Sequence, residues 1–200
     1  MKDAASGLAR ALSRARLPIL TVALCYLVSV ITGAVMAHTG SPYALSMRDQ
    51  IVGQAQTGST LTALAQGNRL QAALLDFGGN LLGAVSSTIS GLAVIMPYPL
   101  IIYRGWVGGI VSVDDAHVSR FASPAEGAYY LVTLVLQLIP YTLAGGAGVN
   151  LGLAFLRRRP PYDGERWLSI PKEALYDVGR VYILVVPLFL IASLWEFLAR

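Results

Sequence analysis

The sequence contains apolar stretches that are too long for the core of a small soluble domain. Residues 17–37 form one stretch of 21 residues and residues 128–156 form another of 29, and neither contains a charged side chain. About 20 apolar residues of helix are enough to cross the ~30 Å hydrocarbon core of a bilayer. The sequence therefore predicts an integral membrane protein, and it excludes a water-soluble enzyme, a disordered chain and a nucleic-acid-binding module.

The composition of the whole chain agrees with this prediction. Of 200 residues, 55% are hydrophobic and only 13% are charged, about half the charged fraction of ~25% that is usual for soluble domains. We predict an all-α fold, a polytopic membrane helical bundle of about five transmembrane helices that forms one membrane domain over residues 1–200. The predicted spans are residues 17–37, 70–96, 99–113, 128–156 and 178–198.

Two of these stretches contain residues that interrupt helices. Pro97 and Pro99 have no amide hydrogen to donate and restrict the residue before each of them, so a helix break is expected there. Pro140, followed by Gly145, predicts a second broken helix within residues 128–156. The piece at 99–113 is short, and the sequence allows it either to span the membrane or to re-enter it.

The basic residues predict an orientation, because Lys and Arg are enriched on the cytoplasmic side of membrane proteins. With five spans and a cytoplasmic N-terminus, 11 of the 15 basic residues fall on the cytoplasmic side. We therefore predict a multi-pass protein of the cytoplasmic (inner) membrane with an extracytoplasmic C-terminus. The 11 residues are Lys2, Arg10, Arg14, Arg16, Arg104, Arg157, Arg158, Arg159, Arg166, Lys172 and Arg180; Arg48, Arg69, Arg120 and Arg200 fall on the other side.

Small residues recur at a four-residue spacing that lets helix backbones approach closely. The pairs are Gly79 with Gly83, Gly105 with Gly109, and Gly148 with Gly152. Lipid provides no hydrophobic drive for helices to associate, so close van der Waals packing has to supply it. The pairs predict either packing within this bundle or a face for a second copy or another protein.

Several polar residues fall inside the predicted spans, where a charge is costly and normally faces protein or water. Arg104 and Gln137 lie deepest. Arg104 is predicted to bind the loose carbonyl groups near Pro97 and Pro99, or else an anionic lipid or a partner. The others lie near span ends, where their polar groups reach the membrane interface; they are Asp76, Asn150, Asp177, Arg180 and Glu196.

No set of residues predicts catalysis. Ser90 stands beside Gly91 in a predicted span and is a candidate serine nucleophile, but the two histidines, His38 and His117, fall outside the predicted spans, so a histidine base at membrane depth is missing. The acidic stretch before His117 predicts a solvated loop rather than a metal site. We therefore predict no catalytic, cofactor or metal site.

The segment from Gln137 to Gly152 carries a distinctive pattern. Gln-Leu at 137–138 is followed by a run of small residues that ends Gly-Val-Asn-Leu-Gly at 148–152. It resembles the signature segment of the stage II sporulation protein M family, in which Glu-Leu precedes a small-residue run ending Gly-hydrophobic-X-Leu-Gly. Asn80 near the start of the second span and the Ala-X-X-X-Glu ending at Ala192–Glu196 are also similar to that family.

The chain departs from this family at two places. Gln137 replaces the glutamate, and Val132-Thr133-Leu134 stand where the family commonly has Pro-His-Gly. A hydrogen-bonding role for residue 137 is therefore retained, whereas a role for an ionisable group there is not implied. The resemblance implies an all-helical membrane protein that is a component of a larger assembly; the sporulation member is associated with peptidoglycan-remodelling proteins.

These observations predict a non-catalytic integral membrane component, a scaffold or subunit of a multiprotein membrane complex. Its expected partners are the lipid bilayer and other membrane proteins or a homo-oligomer, with no nucleic acid. The alternative is a permease or transport subunit working with a separate ATPase, which the two helix breaks favour. The residues predicted for helix packing or for contact with a partner or substrate are Asn80, Arg104, Gln137, Pro140, Gly145, Gly148, Gly152 and Glu196.

Overall fold

The computed structural model describes residues 2–157 and 160–199, and this part of the chain is almost entirely helical. It confirms the predicted all-α class. Two short strands, β1 (Arg166–Trp167) and β2 (Ile170–Pro171), form an antiparallel pair. The helices are α1 (Lys2–His38), α2 (Pro42–Gln56), α3 (Ser59–Ala65), α4 (Arg69–Ser90), α5 (Pro97–Ile110), α6 (Pro124–Leu156) and α7 (Lys172–Leu198). Arg158, Arg159 and Arg200, counted above for orientation, lie outside the described residues.

In the described part of the chain, four helices are long and apolar enough to cross a membrane. These are α1, α4, α6 and α7, with α4 extended through Ala93 by a 3-10 turn. Helix α5, which covers most of the predicted span at 99–113, has 14 residues. At 1.5 Å per residue it is ~21 Å long, which is shorter than the ~30 Å hydrocarbon core. The expectation of about five spans is thus corrected to four helices of spanning length and one short helix.

The two predicted helix breaks have different outcomes. The break near Pro97 and Pro99 is confirmed, because α4 ends at Ser90 and α5 begins at Pro97. The break near Pro140 and Gly145 is wrong, because α6 is continuous from 124 to 156. Pro140 is fully buried among the other helices, and in such surroundings packing and side-chain hydrogen bonds maintain a helix through a proline.

Helix α6 lies at the centre of the bundle and packs against α1, α4, α5 and α7. The short helix α5 runs antiparallel to α6, since Ile101 lies beside Gly145 and the Tyr130 hydroxyl donates to the Gly108 carbonyl at 2.8 Å. It therefore carries the chain back toward the end of the bundle where α2 and α3 lie. At that end, Phe197 of α7 packs against alanines of α3 and α4.

Glycines bring α5 into backbone contact with α1. A Cβ atom on Gly109 would lie 2.7 Å from the Ala34 amide nitrogen and 2.9 Å from the Gly33 Cα. A Cβ on Gly105 would meet the Ser29 side chain and the Tyr26 carbonyl. The predicted pair at 105 and 109 is thus used inside the bundle, which is the kind of small-residue contact expected between helices in lipid.

The polar stretch between α1 and α4 forms the two short helices α2 and α3. Arg48 is 3% exposed and forms ion pairs with Asp49 and with Asp115 of the 111–123 loop. The His117 ring contacts Asp49 at 3.0 Å. Hydrogen bonds from His117 and Arg48 hold the pKa of Asp49 below its usual value. These pairs attach α2 to the loop between α5 and α6.

We expect residues 5 and 199 to lie on opposite sides of the membrane, because α5 carries the chain back across the membrane between α4 and α6. Cys25 is the only cysteine in the sequence, so Cys25→Ala provides a cysteine-free background. In sealed vesicles, Ala5→Cys and Ala199→Cys should react with a membrane-impermeant maleimide from opposite sides.

A third position serves as the control for this labelling experiment. Thr57 ends α2 and lies at the same end of the bundle as residue 199, so Thr57→Cys should react from the same side as Ala199→Cys. Labelling of residues 5 and 199 from one side would contradict the crossing by α5.

Candidate functional site

A chain of polar side chains crosses the interior of the bundle from α5 to α7. Arg104 Nη1 donates to the Tyr141 hydroxyl at 2.6 Å, and that hydroxyl donates to Asn80 Oδ1 at 2.6 Å. Asn80 Nδ2 then donates to Asp76 Oδ2 at 2.9 Å, which also accepts from the Ser193 hydroxyl at 2.7 Å. Every donor points from the guanidinium toward the carboxylate, so the chain connects a positive and a negative charge through two neutral groups.

A second polar pair lies one helical turn away along α6. Gln137 Nε2 donates to Glu196 Oε2 at 2.8 Å, which joins α6 to the end of α7. The Tyr129 hydroxyl donates to the Glu196 backbone carbonyl at 2.5 Å. Because a carboxylate inside a membrane protein needs donors to offset its desolvation, this pairing explains a glutamate two residues before the end of the last helix.

The charged side chains of Arg104 and Glu196 line one cavity between α5 and α6, which we name the α5–α6 groove. It has a volume of about 480 Å³. Its polar lining groups come from α1, α5, α6 and α7, and its apolar lining includes Ile51 of α2. The residues that define the groove are Tyr26, Ile51, Leu100, Tyr103, Arg104, Val107, Gly108, Val111, Tyr130, Thr133, Leu134, Gln137, Tyr141 and Glu196.

The Arg104 guanidinium is held mainly by Tyr141, which it also covers at 4.3 Å from the ring centroid. Among the side chains that the structure describes, no carboxylate forms an ion pair with it. The described residues also contain no group of three or more His, Cys, Asp or Glu side chains that could hold a metal ion. The guanidinium in the groove is therefore suited to binding a polar group.

The structure brings together four of the residues predicted from the sequence. Asn80, Arg104, Gln137 and Glu196 all belong to the two polar groups beside the groove. Arg104 was predicted to bind carbonyl groups near Pro97. In the structure its guanidinium instead donates a hydrogen bond to the Tyr141 hydroxyl.

The other four predicted residues lie in helix contacts. Pro140 is buried, and a Cβ on Gly145 would lie 3.2 Å from Val22 of α1. A Cβ on Gly148 would lie 2.7 Å from Thr88 Cα, and Gly152 faces the Gly91 backbone. These residues bring α6 against α1 and against the turn that follows α4.

Sequence reasoning missed several groove residues, above all Tyr141. Tyr130, Thr133, Gln137 and Tyr141 recur at three- and four-residue spacing along α6, which places them on one helix face. That spacing is the signal that identifies a polar stripe on α6. Arg104 of α5 and Glu196 of α7 were predicted individually, but no signal in the sequence places them opposite this stripe.

A separate polar cluster joins α1, α6 and α7 at the opposite end of the bundle. Asp177, 3% exposed, accepts hydrogen bonds from Arg14 at 3.0 Å, Arg180 at 2.7 Å and Tyr162 at 2.9 Å. Asn150 donates to the Tyr162 hydroxyl at 2.9 Å, and burial raises the pKa of Tyr162 to about 12. Asn150 and Asp177, which the sequence places near span ends, are buried among these polar partners.

Comparison with known proteins gives one match. The model of the family described as stage II sporulation protein M matches residues 22–198. No curated protein and no solved structure matches the chain. The matched region includes both polar groups beside the groove, the helices α4, α6 and α7, and α1 from residue 22. The chain belongs to the stage II sporulation protein M family.

Proposed function

We propose that the chain is a non-catalytic subunit of a multiprotein complex in the cytoplasmic membrane, with its N-terminus in the cytoplasm. The observation that carries this proposal is the outward face of α4. Gly78 and Gly79 lie exposed on that face, and a Cβ on either would have no neighbour within 4 Å. Glycine in a helix interior costs ~1 kcal/mol relative to alanine, so the pair is best explained by close approach of another helix.

The neighbouring side chains fit an apolar partner. Leu75, Leu82 and Ile89 are exposed and lie seven residues, or about two helical turns, apart, which places them on one face of α4. By contrast, Gly109 and Gly148 already meet backbone inside the bundle. We infer that the partner presents an apolar transmembrane helix to the face formed by residues 75, 78, 79, 82 and 89.

The orientation rests on the basic side chains. Arg10, Arg14 and Arg16 of α1 and Lys172 and Arg180 of α7 lie toward the same end of the bundle. This matches the enrichment of Lys and Arg on the cytoplasmic side. The alternative of a transport subunit was favoured by two predicted helix breaks, and only the break near Pro97 is present, because α6 is continuous at Pro140.

Site-specific photo-cross-linking in native membranes tests this proposal. A photoreactive residue at position 82 should form an adduct with another membrane protein, and Gly79→Leu should reduce its yield at least ~tenfold, which corresponds to a loss of ~1.4 kcal/mol. Gly179→Leu is the matched control, because Gly179 on α7 also has no neighbour within 4 Å, and it should leave the yield unchanged.

Position 24 of α1 provides a second control. Leu24 is exposed on a lipid-facing stripe and should give lipid adducts only. Equal protein adducts from positions 24 and 82, or an adduct at 82 that Gly79→Leu does not reduce, would contradict a partner on α4. An adduct of twice the chain's own mass would replace the proposal with a homo-oligomer.

A further inference from the structure

The α5–α6 groove is lined by two side chains of opposite charge, Arg104 and Glu196. Tyr141 binds Arg104 and Gln137 binds Glu196, and both charges line the same cavity. Gln137 and Tyr141 are four residues apart on α6, which corresponds to ~6 Å along the helix axis. A ligand that matches both charges therefore carries an anionic group and an ammonium group a few bonds apart.

One groove residue lacks a partner for its polar atom. The Thr133 hydroxyl oxygen is buried and has no hydrogen bond in the part of the chain that the structure describes. Thr133 lines the groove one helical turn from Gln137. Because an unsatisfied buried hydroxyl costs free energy, a polar ligand group in the groove would satisfy it.

The walls of the groove indicate that the ligand also has apolar parts. Val107, Val111 and Leu134 line it, and at its border Leu100 and Tyr103 are exposed on the outside of the bundle. That outer surface of α5 lies among apolar side chains that face lipid. The acyl chains of a bound lipid can extend from the groove into the bilayer there, whereas a small free solute would make no contact with these apolar walls.

We propose that the groove binds the headgroup of phosphatidylethanolamine, with the lipid phosphate on Arg104 and its ammonium group on Glu196. Arg104 lies six residues, or ~9 Å, before the end of α5, so the headgroup enters from the side covered by α2. Glu196 and the groove tyrosines accept hydrogen bonds from an ammonium group. This binding goes beyond the role of a complex subunit and does not depend on it.

Thermal unfolding of the delipidated full-length protein in mixed micelles tests the proposal. Dioleoyl-phosphatidylethanolamine should raise the Tm by ~5 °C more than dioleoyl-phosphatidylcholine does, because a saturating ligand stabilises the folded state in proportion to ln(1 + [L]/Kd). Phosphatidylcholine carries the same phosphate, but its trimethylammonium group has no hydrogen to donate to Glu196. Phosphatidylglycerol, which lacks an amine, should also fall short of phosphatidylethanolamine.

Two isosteric variants identify the groove as the site. Thr133→Val should leave the lipid-free Tm unchanged, since it removes no hydrogen bond, yet it should reduce the phosphatidylethanolamine shift. Glu196→Gln should abolish the difference between phosphatidylethanolamine and phosphatidylcholine. Thr32→Val is the matched control: Thr32 is exposed on α1 and bonds only its own helix at Val28, so the full shift should persist.

Three outcomes would overturn the proposal. The first is equal stabilisation by phosphatidylethanolamine and phosphatidylcholine. The second is an undiminished shift in both Thr133→Val and Glu196→Gln. The third is an equal shift with millimolar O-phosphoethanolamine, which would identify a free zwitterionic solute rather than a lipid as the ligand.

Discussion

Gly109→Leu is expected to prevent folding of the bundle or to lower its Tm by ~10 °C or more. Overpacking a core usually costs ~1–3 kcal/mol when side chains can move aside. Here the neighbours of a new Cβ are backbone atoms of Ala34 and Gly33, so α5 would have to separate from α1. A loss above ~3 kcal/mol corresponds to a Tm decrease of ~6–12 °C in a chain of this size.

Thermal unfolding in detergent, followed by circular dichroism or a dye-based assay, measures this effect. Gly109→Ala should have a smaller effect in the same direction. Gly179→Leu should change the Tm by less than ~2 °C, since substitutions without neighbours usually lie within ±0.5 kcal/mol. If Gly109→Leu unfolds at the wild-type temperature, the close contact between α1 and α5 does not exist.

The parts of the fold that depend on local composition could be predicted from the sequence. The charge-free stretches at 17–37 and 128–156 fall within α1 and α6, because solvation by lipid requires every outward residue of a span to be apolar. The break before Pro97 could also be predicted, since two prolines separated by one residue remove two amide donors from one turn.

The continuity of α6 could not be predicted, because the effect of a proline depends on what surrounds it. Pro140 contributes the same missing donor in any sequence, but here Pro140 and the two residues that follow it, Tyr141 and Thr142, are buried among other helices. Helix α1 extends beyond the predicted span at 17–37, and Ala11 and Ala15 of this extension are buried against the rest of the bundle. Both outcomes follow from tertiary packing.

Several residues of the candidate site could be predicted from the sequence, but the contacts between them could not. Arg104, Gln137 and Glu196 were identified as polar residues in apolar surroundings, which need partners, and Asn80 by its similarity to the family. Their partners are distant in sequence, 61 residues for Tyr141 with Asn80 and 59 for Gln137 with Glu196. No periodicity connects such positions, so the groove becomes visible only when α5, α6 and α7 are placed together.

The contacts in the polar cluster around Asp177 could not be predicted from sequence spacing either. A substitution in this cluster is the second one expected to lower the Tm strongly. Arg14 and Asp177 are 163 residues apart, yet their side chains are 3.0 Å apart. Asp177 is almost fully buried and also pairs with Arg180. Removing one partner of a buried ion pair leaves charges without compensation and costs ~3–5 kcal/mol. Asp177→Ala should therefore lower the Tm by at least ~6 °C.

Glu173 provides the matched control, because it pairs with the same two arginines from a half-exposed position. Exposed ion pairs contribute ~0–1 kcal/mol, so Glu173→Ala should lower the Tm by no more than about a third of the Asp177→Ala effect. Asp177→Asn, which keeps the shape and loses the charge, should lie between the two. Equal small effects of Asp177→Ala and Glu173→Ala would mean that the cluster is open to water, and that burial of Asp177 does not join α1 to α7.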